Sequence, residues 1–378
     1  MTVFKRKIFY MGGFDPRGVR HYHALYRQSA ARWSERTGVP LAVSNRKTAS
    51  PARADWTIEN AVDGTTTSYS FLRWEDLVRR AWIKSPVRLG LRALRTYGGL
   101  LRHADLHIIR TVPSGPVKTL FYPPVFSVLL PLLIGIVPFL LGLVWLPWWA
   151  ALAIGAVLGV AGATPLLKKL HTPWLLRFFI FNAETGGGDA DPPMVARLDA
   201  FATQILAELD GGPNQEEWDE VLLVTHSNGS ILAVPLMERI LAARGGTMPA
   251  NFALVTLGQS IPLILCRGDA KGFKERLRAV GRGDFRWFDI GSPPDGAGFY
   301  GVNPMALIGA ETRPALVHLN PRFYKFYDPE NYHSGLANKY DIHFDYLRVG
   351  DRVSPLDYPS LTATARPIEA SVAAFQAL

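Results

Sequence analysis

Residues 221–230 read VLLVTHSNGS: four apolar residues run through Thr225 and His226 into Ser227, Asn228 and Gly229. An unbroken apolar run of this length fits a strand buried on both faces, and the pattern from 229 onward fits a helix. Ser227 therefore falls on a strand-to-helix corner. In a parallel α/β sheet such a corner lies beyond the carboxyl end of its strand, where ligands collect, and the helix N-terminus turns unpaired backbone N–H groups toward them. A serine hydroxyl placed there is a candidate nucleophile if a base takes its proton. Without that base it is a serine that caps a helix. A second corner occurs in IFYMGGFD (8–15), where a strand pattern ends on Gly12, Gly13 and Phe14. No H-E-x-x-H, Walker A loop or G-x-G-x-x-G after a strand accompanies these features, so no metal and no organic cofactor is expected.

The pentapeptide THSNG resembles the G-x-S-x-G nucleophile elbow of the α/β-hydrolase superfamily, with His226 where many lipases and esterases carry histidine and Thr225 where the first glycine stands. Gly12-Gly13-Phe14 resembles the His-Gly-x turn of lipases. The resemblance implies that Ser227 is the nucleophile and that the backbone N–H groups of Phe14 and Asn228 form an oxyanion hole. It also implies the chain order serine, acid, histidine. In FRWFDIGSPPDGAGFY (285–300), Asp295 lies in the loop beyond a strand and is the preferred acid, with Asp289, inside the strand, in reserve. NKYDIHFDYLRVG (338–350) places His343 at the start of a short helix after the last strand, and it is the expected base. His333, in a loop, competes with it. His318 is expected to be a packed strand residue, and His226 to point away from the cleft. His21 and His23 belong either to the pocket or to a solvated helix start.

The elements that must position these residues follow from the same pattern rules. Strands are expected at 5–11, 41–46, 65–72, 219–225, 251–257, 284–290 and 315–319. Helices are expected at 20–37, 74–84, 193–209, 229–243, 272–280 and near 342–348, with 183–194 (AETGGGDADPPM) as a linker. Strands separated by helices predict an α/β fold with a mostly parallel sheet flanked by helices. The hydrolase resemblance covers roughly 5–50 and 218–346.

Between Lys118 and Lys168 lie 49 residues without a charge. As one helix they would extend about 74 Å, more than twice a ~30 Å hydrocarbon core, so two crossings are expected. The break is placed at Trp145–Trp149 (WLPWW), giving spans near 122–145 and 148–167. Pro131, Gly135, Pro138 and Gly142 on the first span, and Ala151, Gly155 and Gly159 on the second, form small-residue faces on which two antiparallel helices would pack. Arg88, Arg92, Arg95 and Arg102 precede the hairpin and Lys168, Lys169 and Arg177 follow it, which puts both ends on the cytoplasmic side. The 86–104 stretch reads as a helix on the membrane surface, and 171–182 as another interfacial segment.

The chain thus divides into 1–117, the amino-terminal part of the hydrolase domain with its basic helix; 118–182, the hairpin and interfacial segment; and 183–378, the part carrying the catalytic residues. A single domain split by a membrane insertion suits 378 residues that are 48% hydrophobic and 19% charged. The net charge of +9 favours anionic partners, and its concentration beside a spanning hairpin points to lipid headgroups, not nucleic acid. Cys266 is the one cysteine, which excludes an intramolecular disulfide. Lys5-Arg6-Lys7 is followed by too short an apolar run for a signal peptide. The expected function is a membrane-anchored serine hydrolase, lipase- or esterase-like, cleaving a lipid or other acyl ester through an acyl-serine. An acyltransferase using the same serine, and a catalytically silent membrane interaction module, stay open.

Overall fold

The computed structural model describes residues 3–188, 190–211, 217–332 and 339–378. The chain begins with β1 (Phe4–Met11) and α1 (Val19–Thr37), followed by β2 (Ala42–Val43), β3 (Lys47–Ser50), β4 (Arg53–Asn60) and β5 (Thr65–Leu72). A helical stretch comes next: α2 (Glu75–Ala81), α3 (Pro86–Arg102), α4 (Leu106–Thr111), α5 (Ser114–Gly142), α6 (Trp148–Lys169), α7 (Thr172–Thr185) and α8 (Pro192–Leu209). Strands and helices then alternate as β6 (Glu220–His226), α9 (Asn228–Ala243), β7 (Phe252–Leu257), α10 (Pro262–Leu265), α11 (Lys271–Gly281), β8 (Arg286–Ile290), α12 (Pro304–Leu307) and β9 (Ala315–Leu319). Three helices, α13 (Lys339–Asp345), α14 (Tyr358–Thr362) and α15 (Ile368–Gln376), finish the chain.

The described strands form one sheet in the order β2-β4-β5-β1-β6-β7-β8-β9, with β3 also on β4. From β5 to β9 every neighbour is parallel, while β4 is antiparallel to β5 and to β2 and β3. The α/β expectation therefore describes the fold, with an antiparallel edge added. That edge differs from the sequence expectation: the strand placed at 41–46 is only β2, and the longer β4 was not anticipated, although Ala54, Trp56 and Ile58 alternate inward.

Alternate residues of the central strands feed two cores. Phe9, Met11, Leu223 and Leu254 face one side with α8 and α9; Ile8, Tyr10, Val224 and Val255 face the other with α1 and α14. Strand β1 pairs with β5 on one side and β6 on the other; the chain after β1 builds the β2–β5 side of the sheet and the chain after β6 the β7–β9 side, so the connections after these two neighbours run in opposite directions. This is a topological switch point, and the crevice beyond the carboxyl ends of β1 and β6 is where such a sheet binds ligands.

Two helices, α5 and α6, are long and apolar enough to cross a membrane. Helix α6 (Trp148–Lys169) matches the expected second span, whereas α5 begins earlier than the expected first span, at Ser114, runs through Pro123 and Pro124, and ends at Gly142. Their small faces meet. A Cβ on Gly159 would lie 2.2 Å from the Pro131 carbonyl oxygen, and one on Gly135 would lie 2.5 Å from that of Gly155, so only glycine allows this approach. Leu132, Ile136, Leu140, Val157 and Val160 point outward and are exposed.

A helix occupies the 86–104 stretch as expected: in α3, Leu89, Ala93, Tyr97 and Leu100 are buried while Leu91, Leu94 and Leu101 are exposed beside Arg88, Arg95 and Arg102. Arg92 departs from that stripe and pairs with Glu184. The expectation for 171–182 is corrected: α7 is not an interfacial segment, since Leu175, Leu176 and Phe178 through Asn182 are all buried. The reason is that α7 fills the space between α3, α5 and the end of β1.

Candidate active site

Ser227 follows the last residue of β6 and precedes α9 with φ 56° and ψ −122°. A positive φ is costly for a residue with a Cβ, and among the described residues only His171, Ser227 and Arg322 of the non-glycines show it. Its neighbours enforce the corner. A Cβ on Gly229 would stand 2.3 Å from the Met11 carbonyl oxygen, and one on Gly13 would stand 3.0 Å from Ser227 Cβ and 3.3 Å from Oγ. The crowding that requires glycine thus falls at 13 and 229. Thr225 sits in ordinary register between Met11 and Thr256, where a β-branched side chain is at home.

The loop after β1 comes against this corner. Asp15 N donates to Gly13 O at 2.9 Å, closing a tight turn around Phe14. The Phe14 ring is buried among Trp82, Trp174, Phe178 and Phe181, the last at 5.0 Å between centroids, which anchors the turn to α7. Asn228 opens α9, where helix geometry leaves its N–H without an intrahelical acceptor. Its side-chain amide is buried with neither Nδ2 nor Oδ1 partnered among the described residues.

Asp295, in the loop beyond β8, and His343, on α13, come together. His343 Nδ1 donates to Asp295 Oδ2 at 2.9 Å and lies 3.1 Å from Oδ1. The carboxylate also accepts from Ala297 N at 2.9 Å and from the Tyr346 hydroxyl at 3.0 Å. Burial by itself pushes the Asp295 carboxyl up, but His343 and these donors outweigh it and hold its pKa below the ordinary value. The other ring nitrogen, His343 Nε2, is buried without a partner among the described residues. His343, Ser227, Gly13 and Phe14 line one small cleft of about 20 Å³, together with Asp15, Tyr22, His226, Trp174 and Phe344. That is room for a water or a carbonyl oxygen.

The other candidates go elsewhere. Asp289 does not face His343; it accepts from Thr256 Oγ1 at 2.7 Å and Gln259 Nε2 at 3.2 Å and pairs with His318 Nδ1 at 3.0 Å. His318 is correspondingly not a packed core residue but a partly exposed partner of Asp289 on the edge strand β9. His23 is buried, donating from Nε2 to the Ser44 carbonyl at 2.9 Å; His21 is half-buried, and neither lines the cleft. His333 lies outside the described residues.

Three contributors were missed by the sequence reasoning. His226 does not point away from the cleft: its ring packs 4.8 Å from that of His343, and its Nε2 donates to the His343 carbonyl at 2.7 Å. Burial, then His343, depresses its pKa to about 3, so its ring is neutral where it packs on His343. Tyr346, three residues after His343, accepts from Ser292 N at 2.8 Å while donating to Asp295. Asp15 also lines the cleft and is forked by Arg17 at 2.5–2.9 Å. Among the described residues no group of three His, Cys, Asp or Glu side chains could hold a metal ion.

Comparison of the chain with known protein families, curated proteins and solved structures finds no match.

Proposed function

We propose that the chain is a membrane-anchored serine hydrolase of the α/β-hydrolase type, lipase- or esterase-like, that cleaves an acyl ester through an acyl-serine intermediate. The observation that carries this is the hydrogen bond from His343 Nδ1 to Asp295, which favours the tautomer with a lone pair on the buried, unpartnered Nε2, in a residue that lines the same cleft as Ser227. His343 Nε2 takes the Ser227 proton as Oγ bonds to the acyl carbon, and the carbonyl becomes an oxyanion received by the N–H groups of Phe14 and Asn228. His343 then gives that proton to the departing alkoxide oxygen as its bond to the acyl carbon breaks. A water, deprotonated by His343, adds to the acyl-serine; collapse releases the carboxylic acid and returns the proton to Ser227. Asp295 stays ionised and stabilises the imidazolium throughout.

The membrane part of the proposal is supported by the sheet. Residues on both sides of α5 and α6 share it, as in the Arg6 to Glu220 register of β1 on β6, so the two crossings return the chain to the same side. The basic flanks, Arg88, Arg95 and Arg102 before the hairpin and Lys168 and Lys169 after it, favour the cytoplasmic side. A hydrolase held there would meet lipid or other acyl-ester substrates at the bilayer surface. A fluorophosphonate probe tests the chemistry: it should label the wild-type chain and not Ser227→Ala. Equal labelling of both, or none of a folded wild type, would remove the nucleophile assignment.

A further inference from the structure

Helix α7 works on two sides. Trp174, Phe178 and Phe181 hold Phe14, whereas Phe179, Asn182, Ala183 and Gly186 line a different cavity, of about 130 Å³. Tyr97 and Leu100 of α3, Leu120 of α5, and Leu263 and Ile264 of α10 complete most of its wall, and none of Ser227, Asp295 or His343 reaches it. A closed apolar cavity of roughly 150 Å³ admits a benzene-sized guest, and this pocket, open on one side and lined mostly by apolar atoms, has room for a short length of hydrocarbon.

Its polar fittings narrow the guest. Asn182 is 2% exposed; its Nδ2 donates to the Phe178 carbonyl at 3.0 Å, but Oδ1 has no partner among the described residues. A buried carbonyl oxygen without a donor is unfavourable, and a guest bringing an O–H would satisfy it. Arg267, at the wall, is forked by Asp269 at 3.0 and 2.7 Å, so its charge is already answered and an anionic headgroup gains little there. The cavity also adjoins the root of α5: Tyr97 donates to the carbonyl of Leu120, just beyond Lys118, the last charge before the apolar run.

From these features we infer that the cavity binds the hydroxyl-bearing end and adjoining methylenes of an uncharged single-chain lipid, of the monoacylglycerol class, with its O–H donated to Asn182 Oδ1. The inference rests on the membrane placement of α5 and α6 in the preceding proposal and not on the chemistry of Ser227. It is therefore tested on the full chain carrying Ser227→Ala, in phosphatidylcholine nanodiscs, with a diazirine-bearing monoacylglycerol and peptide mapping of the adducts. Peptides containing 96–100 and 263–267 should be labelled, and unlabelled monoacylglycerol should compete where the matching fatty-acid anion does not. Ala183→Phe, or Thr96→Phe should the first not fold, should reduce that labelling about tenfold while labelling on the outer faces of α5 and α6 is unchanged. Asn182→Leu should reduce it similarly for the monoacylglycerol but not for an alkyl diazirine lacking the hydroxyl. Labelling that neither cavity-filling variant diminishes, or that the fatty-acid anion suppresses equally, would overturn the inference. Failure of fluorophosphonate labelling at Ser227 would overturn only the hydrolase proposal.

Discussion

Replacing Asp295 with asparagine changes one atom and tests the proposed chemistry most directly. Oδ1 accepts from the Ala297 N–H, so the side-chain carbonyl keeps that place and the new amide nitrogen occupies the Oδ2 position, 2.9 Å from His343 Nδ1. An NH₂ there is a donor. It obliges Nδ1 to accept, moves the imidazole proton to Nε2, and leaves no lone pair for Ser227. In a serine–histidine–aspartate site the wrong tautomer lowers kcat by about 10⁴-fold, or ~5.4 kcal/mol in the barrier. The Tyr346 hydroxyl, 3.0 Å from Oδ2, loses its acceptor as well, so a folding cost of about 1–3 kcal/mol is expected alongside. The assay is hydrolysis of a p-nitrophenyl ester by the detergent-solubilised full chain, with thermal melting to show that the variant is folded at the assay temperature. Asp289→Asn is the control, because that carboxylate serves Thr256, Gln259 and His318 and should leave kcat within about tenfold. If Asp295→Asn keeps activity within about tenfold of wild type, or Asp289→Asn loses as much, the assignment of the acid is refuted.

Gly229→Ala should cost at least about 1–3 kcal/mol in chemical denaturation and abolish fluorophosphonate labelling, since the added Cβ would meet the Met11 carbonyl at 2.3 Å and β1 would have to move from the elbow; unchanged labelling would count against the tight corner. The buried neutral His226 predicts acid sensitivity: its folded pKa of about 3 lies below the ordinary 6.5, so its contribution is complete above 6.5 and is lost as pH falls toward 3, at up to ~1.4 kcal/mol per pH unit. The difference in stability between wild type and His226→Gln, followed from pH 7 to 4, should shrink accordingly, and a difference that stays constant would show that the ring is protonated in the fold. Deleting 119–167 with a short linker should move the protein to the soluble fraction on flotation, and retention with the vesicles would argue against α5 and α6 as the anchor.

Several features were legible because they depend on local pattern. The apolar runs of β1, β6 and β7 are buried on both faces, the uncharged middle exceeds one bilayer and breaks at a proline, and Ser227 falls where a strand pattern gives way to a helical one. Other features were decided by packing. β4 carries a readable alternation at Ala54, Trp56 and Ile58, yet its polar outer face makes it resemble a loop until β5 pairs with it. The aromatic run in α7 has the composition of an interfacial helix, and only the proximity of Phe14 and α3 turns it into a core element.

What the sequence determined by itself was a strand-and-helix alternation, a hairpin's worth of uncharged residues, and a serine at a corner, because each is written in neighbouring side chains through periodicity and backbone preference. What only the tertiary structure decided was which acid meets which histidine. Asp289 and Asp295 are six positions apart and chemically alike, but β8 buries the first beside Thr256 and His318 while the following loop carries the second to His343. A hydrogen bond between residues 295 and 343 depends on where the loop after β8 and the helix α13 meet in space, and no local pattern encodes that distance.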